Sequence, residues 1–223
     1  MLKVGISATD AIFITHEHSD HITGLLKISE RTNAPIYASC GTARGIGERI
    51  DALRGKIKCI RAGETVKVGN LRVTAFDTPH DTYESMGYRI ETENECAVVA
   101  TDIGRVDDTL LGNLLGADTL LLESNYDKRR LRYSKYPAFL KERIVGGRGH
   151  LSNDECAAVA VKAAEEGTRN IILGHISAEN NTPDDAYTAV HTALTQSGII
   201  PGVDVMLYVA PRGKRGELVV VGE

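Results

Sequence analysis

Four times between residues 11 and 175 of this 223-residue chain, a short apolar run stops at or just before a histidine or an aspartate. Residues 11–15 (AIFIT) run into His16, 71–77 into Thr78-Pro79-His80, 97–101 into Asp102, and 171–174 into His175. Short apolar runs bounded by polar residues read as buried strands. Open α/β sheets place their ligand sites just past the ends of such strands. The pattern predicts an α/β fold in which separate stretches of chain carry polar side chains to one end of a sheet.

The intervening segments read as helices at 23–31, 42–54, 106–115 and 136–145. Two later helices carry start signals: Ser152-Asn153-Asp154-Glu155 forms a capping-box sequence before a run to Glu166, and Thr182-Pro183-Asp184-Asp185 sets a cap, an N1 proline and first-turn acids before a run to Gln196. Gly167 and Gly198 supply the stops. Residues 66–68 and 71–77 flank Gly69-Asn70 as a hairpin, and Glu93-Asn94 turns between 88–91 and 97–101. With no repeat, low-complexity tract or long Pro/Gly linker, residues 1–223 read as one domain.

The densest chemistry lies in His16-x-His18-x-Asp20-His21. Two imidazoles at i and i+2 on an extended segment point the same way, and the following turn presents a carboxylate and a third imidazole. Taken singly, His80 reads more readily as a capping or surface residue than as a ligand, Asp102 equally as the cap of the next helix, and His175 is ambiguous. Taken together, His16, His18, Asp20, His21, His80, Asp102 and His175 make seven nitrogen and oxygen ligands, enough for two divalent ions. An aspartate such as Asp102 has two oxygens with which to bridge them. An all-N/O set suits zinc or manganese and does not choose between them.

The ordered motifs HEHSDH, TPH, ATDIG and LGHIS resemble those of the metallo-β-lactamase superfamily. Within the stretch from Ala11 to Pro183, LLESN at 121–125, the Tyr-Pro-x-x-Leu-Lys-x-Arg-Ile stretch at 136–144, Gly149-His150-Leu151-Ser152-Asn153 and Glu179-Asn180-Asn181-Thr182-Pro183 resemble its YycJ/WalJ branch, bacterial cytosolic hydrolases regarded as DNA exonucleases. The resemblance implies an αβ/βα sandwich of mixed sheets with flanking helices. It implies one ion on His16, His18 and His80, the other on Asp20, His21 and His175, and Asp102 between them. Two positions depart from the branch. Its members begin with further strands, so this chain is expected to be N-terminally shortened, with a sheet edge or face left uncovered. The residue after Ser124-Asn125 is Tyr126 rather than histidine, and no role is carried over to it.

Two ions about 3.5–4 Å apart share a hydroxide that attacks a phosphodiester in line. On this expectation Asp20 also orients the nucleophile. His150 contacts phosphate or protonates the leaving oxygen, unless it only shapes the loop before the Ser152 cap. A thioester hydrolase of the glyoxalase II kind and a truncated, non-catalytic metal-binding or partner-binding module are the rivals. His18 disfavours a redox diiron role.

Composition bounds the partners. The proportions, 42% hydrophobic and 25% charged, are those of a globular protein rather than a disordered or coiled-coil chain, and no apolar run is long enough to span a bilayer. The opening MLKVGISATD lacks a secretory pattern, so a cytoplasmic location is expected. Cys40, Cys59, Cys96 and Cys156 contain no C-x-x-C pair and read as buried small hydrophobes. The net charge of −4 argues against whole-surface attraction to DNA. Yet Lys128, Arg129, Arg130, Arg132, Lys135, Lys141, Arg143 and Arg148 crowd one stretch, and Arg212, Lys214 and Arg215 form a second cluster. Each reads either as a solvated face or as a patch that holds the phosphate backbone of DNA.

Overall fold

The computed structural model describes residues 9–213 together with Gly216 and Val219; residues 1–8 and, in the second basic cluster, Lys214 and Arg215 lie outside the described residues. Contacts within the chain divide it into two units, Met1–Asp77 with Asp81–Tyr88, and Thr78–His80 with Arg89–Glu223.

The first unit contains β1 (Ile12–Phe13), α1 (Ser19–Ile22), α2 (Leu25–Thr32), β2 (Ile36–Ala38), α3 (Cys40–Arg49) and β3 (Ile57–Cys59). The three strands form a parallel sheet in the order β1-β2-β3. Ile14, Ile22, Leu25, Ile36, Ala38, Ile46 and Leu53 make its core. The end of β1 is fixed from three sides: Ile14 N donates to Tyr37 O at 2.9 Å, Tyr88 Oη donates to Ile14 O at 2.6 Å, and Met86 N donates to Thr15 O at 3.0 Å. The hairpin expected at Gly69-Asn70 joins β4 (Thr65–Val68) to β5 (Leu71–Asp77), with Val68 opposite Leu71. Gly69 takes a φ of 60°, which a two-residue turn of this kind needs and a glycine adopts without steric cost. Strand β6 (Met86–Glu91) begins in the first unit and ends in the second.

The second unit comprises β7 (Cys96–Ala100), α4 (Asp108–Leu114), β8 (Thr119–Glu123), α5 (Lys128–Tyr133), α6 (Ala138–Val145), α7 (Asn153–Glu165), β9 (Asn170–Gly174), α8 (Pro183–Gln196) and β10 (Met206–Val209). Neighbouring pairs β7–β8, β8–β9 and β9–β10 are all parallel. Val98, Ala100, Leu120, Leu122, Ile171 and Leu173 are buried and stand in register, so they share one apolar face of the sheet. The capping box at Ser152 forms as the sequence indicates. Thr182 caps α8, accepting from Asp185 N, with Pro183 at its first position. Mixed sheets with flanking helices are the architecture expected.

Several expectations need correction. The segment read as one helix over 42–54 begins at Cys40, because Ser39 Oγ accepts from Thr42 N at 2.9 Å and acts as the cap. It stops at Arg49, where Ile50 leaves helical geometry, and a separate 3-10 turn follows at Asp51–Leu53. Cys96 and Cys156 are buried, but Cys40 and Cys59 are exposed. Cys40 opens α3 and Cys59 ends β3, so both stand at element ends rather than in the core. Their mutual hydrogen bond, followed by partial burial, pushes the Cys59 thiol up to about 11. Among the described residues no helix is long and apolar enough to cross a membrane.

Candidate functional site

In the first unit the chain leaves β1 still extended, so alternate side chains of His16-Glu17-His18 face opposite ways. Glu17 turns into the protein, where it accepts from Tyr83 N at 3.0 Å. His16 and His18 lie with ring centroids 4.7 Å apart. His18 is the N-cap of the single-turn helix α1, which carries Asp20 and His21. That turn brings the His21 ring to 4.0 Å from His16, with Asp20 Oδ2 3.8 Å from His21 Nε2. The Thr15 hydroxyl lies 3.1 Å from His16 Nδ1 and 3.4 Å from His21 Nδ1. Anchoring Nδ1 of both rings leaves Nε2 to act as the ligating nitrogen. His16 is fully buried and Asp20 is exposed.

In the second unit strand register does the assembly. Ala100 pairs with Leu122, and Leu122 with Leu173. Asp102, Glu123 and His175 therefore emerge at the carboxyl ends of three neighbouring parallel strands. Asp102 and His175 have φ of 60° and 53°, a left-handed backbone that costs a non-glycine residue of order 1 kcal/mol or more and concentrates at functional sites. His80 arrives by a different route. Its Nδ1 lies 2.9 Å from Gly149 O, and because a carbonyl only accepts, Nδ1 carries the proton and Nε2 the lone pair. Arg148 Nε donates to His80 O at 3.0 Å. A Cβ at Gly149 would collide with the carbonyls of Arg143 and Ile144, and one at Gly104 with the backbone of Arg148, so both close approaches require glycine.

The residue that sequence reasoning missed is Glu123, which is fully buried. Its Oε1 accepts from His150 Nδ1 at 2.8 Å and His175 Nδ1 at 2.7 Å. Its Oε2 accepts from Ile103 N at 2.7 Å and Leu151 N at 3.2 Å. Burial alone would raise its pKa, but the hydrogen bonds from His150 and His175 outweigh that and hold the carboxyl well below the usual range. For His150 burial pulls the pKa down, and the bond to Glu123 with the nearby Asp102 charge prevails and raises it. With four donors on its two oxygens, Glu123 orients the imidazoles around it. The missing signal was the strand. Residues 119–123 end an apolar run in an acid, as the other ligand strands do, but were not read as an element. Asn125 supports the same corner, donating from Nδ2 to His175 O at 2.9 Å. The neighbouring Ser124, Asn153 and Asn181 form a buried network that ties the end of β8 to the starts of α7 and α8.

Asp102 Oδ1 sits 3.5 Å from His80 Nε2, 3.5 Å from His175 Nε2 and 3.7 Å from His150 Nδ1. These separations exceed good hydrogen bonds. Two donors each about 2.1 Å from one tetrahedral ion lie about 3.4 Å apart, so the His80–Asp102 and Asp102–His175 spacings are of the size that ligands of a divalent ion take. His150 Nδ1 is bonded to Glu123 as His175 Nδ1 is, and Asp102, Glu123, His150 and His175 lie close enough together to form one of the groups that could hold a metal ion. Tyr126 is buried, and burial pushes its hydroxyl up to about 12. It packs with Leu131 and Ile144 in a small core beneath α5 and α6.

A family model described as the beta-lactamase superfamily domain matches residues 3–176. The exodeoxyribonuclease WalJ of Streptococcus pneumoniae (strain D39) is 33% identical over 204 residues, covering 89% of this chain and 75% of that protein. The exodeoxyribonuclease YycJ of Bacillus anthracis is 32% identical over 197 residues, covering 88% and 75%. Among solved structures, the metallo-beta-lactamase fold protein YhfI from Bacillus subtilis superposes with a TM-score of 0.67 at 17% identity, covering 92% of this chain and 76% of that one.

Proposed function

Because the chain belongs to the beta-lactamase superfamily, and within it to the family of the WalJ and YycJ exodeoxyribonucleases, we propose that this metal-dependent hydrolase is a DNA exonuclease with two divalent ions, acting in the cytoplasm. The observation that carries the reading is the placing of Asp102 Oδ1 at 3.5 Å from the Nε2 atoms of both His80 and His175. His16, His18 and His80 would hold one ion, Asp20, His21 and His175 the other, and Asp102 both; zinc and manganese each suit the donors. Bound there, such ions lower the pKa of coordinated water and draw charge from a phosphoryl oxygen.

The side chains supply the rest. Thr15, Gly149 O and Glu123 fix the rings of His16, His21, His80 and His175 through Nδ1, so that each Nε2 keeps its aim. Asp20, exposed beside His21, orients the attacking oxygen. His150 is held through Nδ1 by Glu123, and its opposite nitrogen meets the phosphate or hands a proton to the leaving oxygen.

The test is to incubate protein loaded with zinc or manganese with 5′-labelled single-stranded and duplex DNA. Stepwise shortening that disappears with chelator and in a His18→Ala Asp20→Ala variant supports the reading. Folded, metal-replete protein that leaves DNA whole but cleaves an acyl-glutathione thioester would replace it, and protein inert to both would point to a non-catalytic module.

A further inference from the structure

Between Glu123 and His150, whose side chains are bonded to each other, the chain makes an excursion through α5 and α6. Residues 128–148 hold eight Lys and Arg against one acid, Glu142, in a protein whose net charge is −4. Some of these cations have structural partners. Lys128 pairs with Asp154, and Arg130 with Asp185. Lys141 Nζ donates to Arg132 O and Ser134 O, both at 2.8 Å, clamping the first turn of α6 to the end of α5. Arg129, Arg132 and Lys135 are exposed and have no carboxylate within ion-pair reach among the described residues. The acids beside them are engaged: Asp127 caps α5 by accepting from Arg130 N at 2.7 Å, and Asp185 accepts from Thr182 Oγ1 at 2.7 Å.

Two aromatic rings stand in this basic surface. Tyr133 is 74% exposed and Phe139 71%. Their neighbours Tyr136 and Leu140 pack onto the core formed by Tyr126, Leu131 and Ile144, so the excursion has its own apolar anchor and does not need Tyr133 or Phe139 to fold. The Arg132 guanidinium lies 5.7 Å from the Tyr133 ring centre. Arg129, Arg130 and Tyr133, with Asp127 and Asp185, also line a surface cleft. Exposed rings interleaved with unpaired cations are what a single strand of nucleic acid recognises: every unpaired base has a face that stacks, and the cations follow the phosphates. A duplex hides those faces. A second copy of this segment would be repelled by like charge.

We propose that the α5–α6 excursion is a binding surface for single-stranded DNA, with Tyr133 and Phe139 as base platforms and Arg129, Arg132 and Lys135 as phosphate contacts. This deepens the nuclease reading and rests on it. A strand lying there is gripped by the segment whose two ends carry Glu123 and His150. The polarity of the surface favours frayed or unpaired ends as substrate.

The test compares wild-type protein with Tyr133→Ala Phe139→Ala and with Arg129→Ala Arg132→Ala Lys135→Ala. Binding of short phosphorothioate single strands and duplexes is followed by fluorescence anisotropy, and turnover with bis(p-nitrophenyl) phosphate, a small diester without a nucleobase. The aromatic variant is expected to bind single strands about tenfold more weakly for each ring lost, with duplex binding and small-diester turnover as in wild type. The cationic variant is expected to reduce the slope of log affinity against log salt by about 2 for single strands. Replacing both rings by Trp should restore affinity. Unchanged single-strand binding in the aromatic variant overturns the proposal and leaves DNA cleavage by the wild type standing. An equal loss on single strands, duplex and small diester, or a change of oligomeric state with affinity unaltered, overturns it too. A wild type that turns over the small diester but neither binds nor cuts DNA removes the nuclease reading itself.

Discussion

The two units carry their candidate metal-ligating side chains in opposite ways. In the first, three imidazoles and a carboxylate fall within residues 16–21, and one extended stretch followed by one helical turn is enough to gather them. In the second, His80, Asp102 and His175 are far apart in sequence and meet through the register of parallel strands and the close approach of backbone at Gly104 and Gly149. The local cluster is steadied by a hydroxyl, Thr15. The distributed one is steadied by a fully buried carboxylate with four donors, Glu123. A ligand set assembled over distance needs a stronger organiser, and its organiser is embedded in the fold. Damage to the two supports should therefore differ in degree: one loss falls mainly on metal binding, the other as heavily on stability.

The largest effect is expected for Glu123→Gln. The amide leaves backbone donors of Ile103 and Leu151 facing an NH2 group or deprives both histidines of their acceptor. Breaking a buried charged network of this sort costs about 3–5 kcal/mol, which for a chain of this size lowers the melting temperature by about 10 °C. Metal affinity should fall about 10–100-fold alongside. Calorimetry together with a metal titration reads both, and an unaltered melting temperature would remove Glu123 as the organiser. His150→Ala comes next: turnover of DNA is expected to drop about 100-fold or more with metal content retained. Turnover equal to wild type would reduce His150 to a shaper of its loop. Thr15→Val, nearly the same size without the hydroxyl's hydrogen bond, should be the mildest, weakening metal binding about tenfold and stability by about 1 kcal/mol. If Thr15→Val proves as damaging to folding as Glu123→Gln, the contrast between the two units collapses.

The same contrast explains what could be read in the sequence. His16, His18, Asp20 and His21 announce themselves by spacing, and the capping signals at Ser152 and Thr182 are local chemistry that the fold obeys. Strands β5, β7 and β9 are visible as apolar runs. What escaped depends on tertiary context. β8 lies in a run, Thr119 to Leu122, whose apolar character does not distinguish strand from buried helix, and Glu123 acquires its role only when β7 and β9 flank it. Very short elements such as β2 and β3 owe their existence to pairing, β2 with β1 and β3 with β2, rather than to any pattern of their own. Cysteine's general preference predicts Cys40 and Cys59 in the core, yet element ends place them at the surface. Helix α5 went unread because Lys128–Tyr133 has a single buried residue, Leu131, and hence no apolar stripe.

The central proposal is that His16, His18, Asp20, His21, His80, Asp102 and His175 hold one pair of ions with Asp102 in common. The most direct measurement is anomalous diffraction from crystals grown with zinc or manganese, recorded at the metal's absorption edge. The account expects two peaks per chain, about 3.5–4 Å apart, one against His16, His18 and His80, the other against Asp20, His21 and His175, with an Asp102 oxygen reaching both. A single peak, or two peaks of which neither touches Asp102, would contradict it.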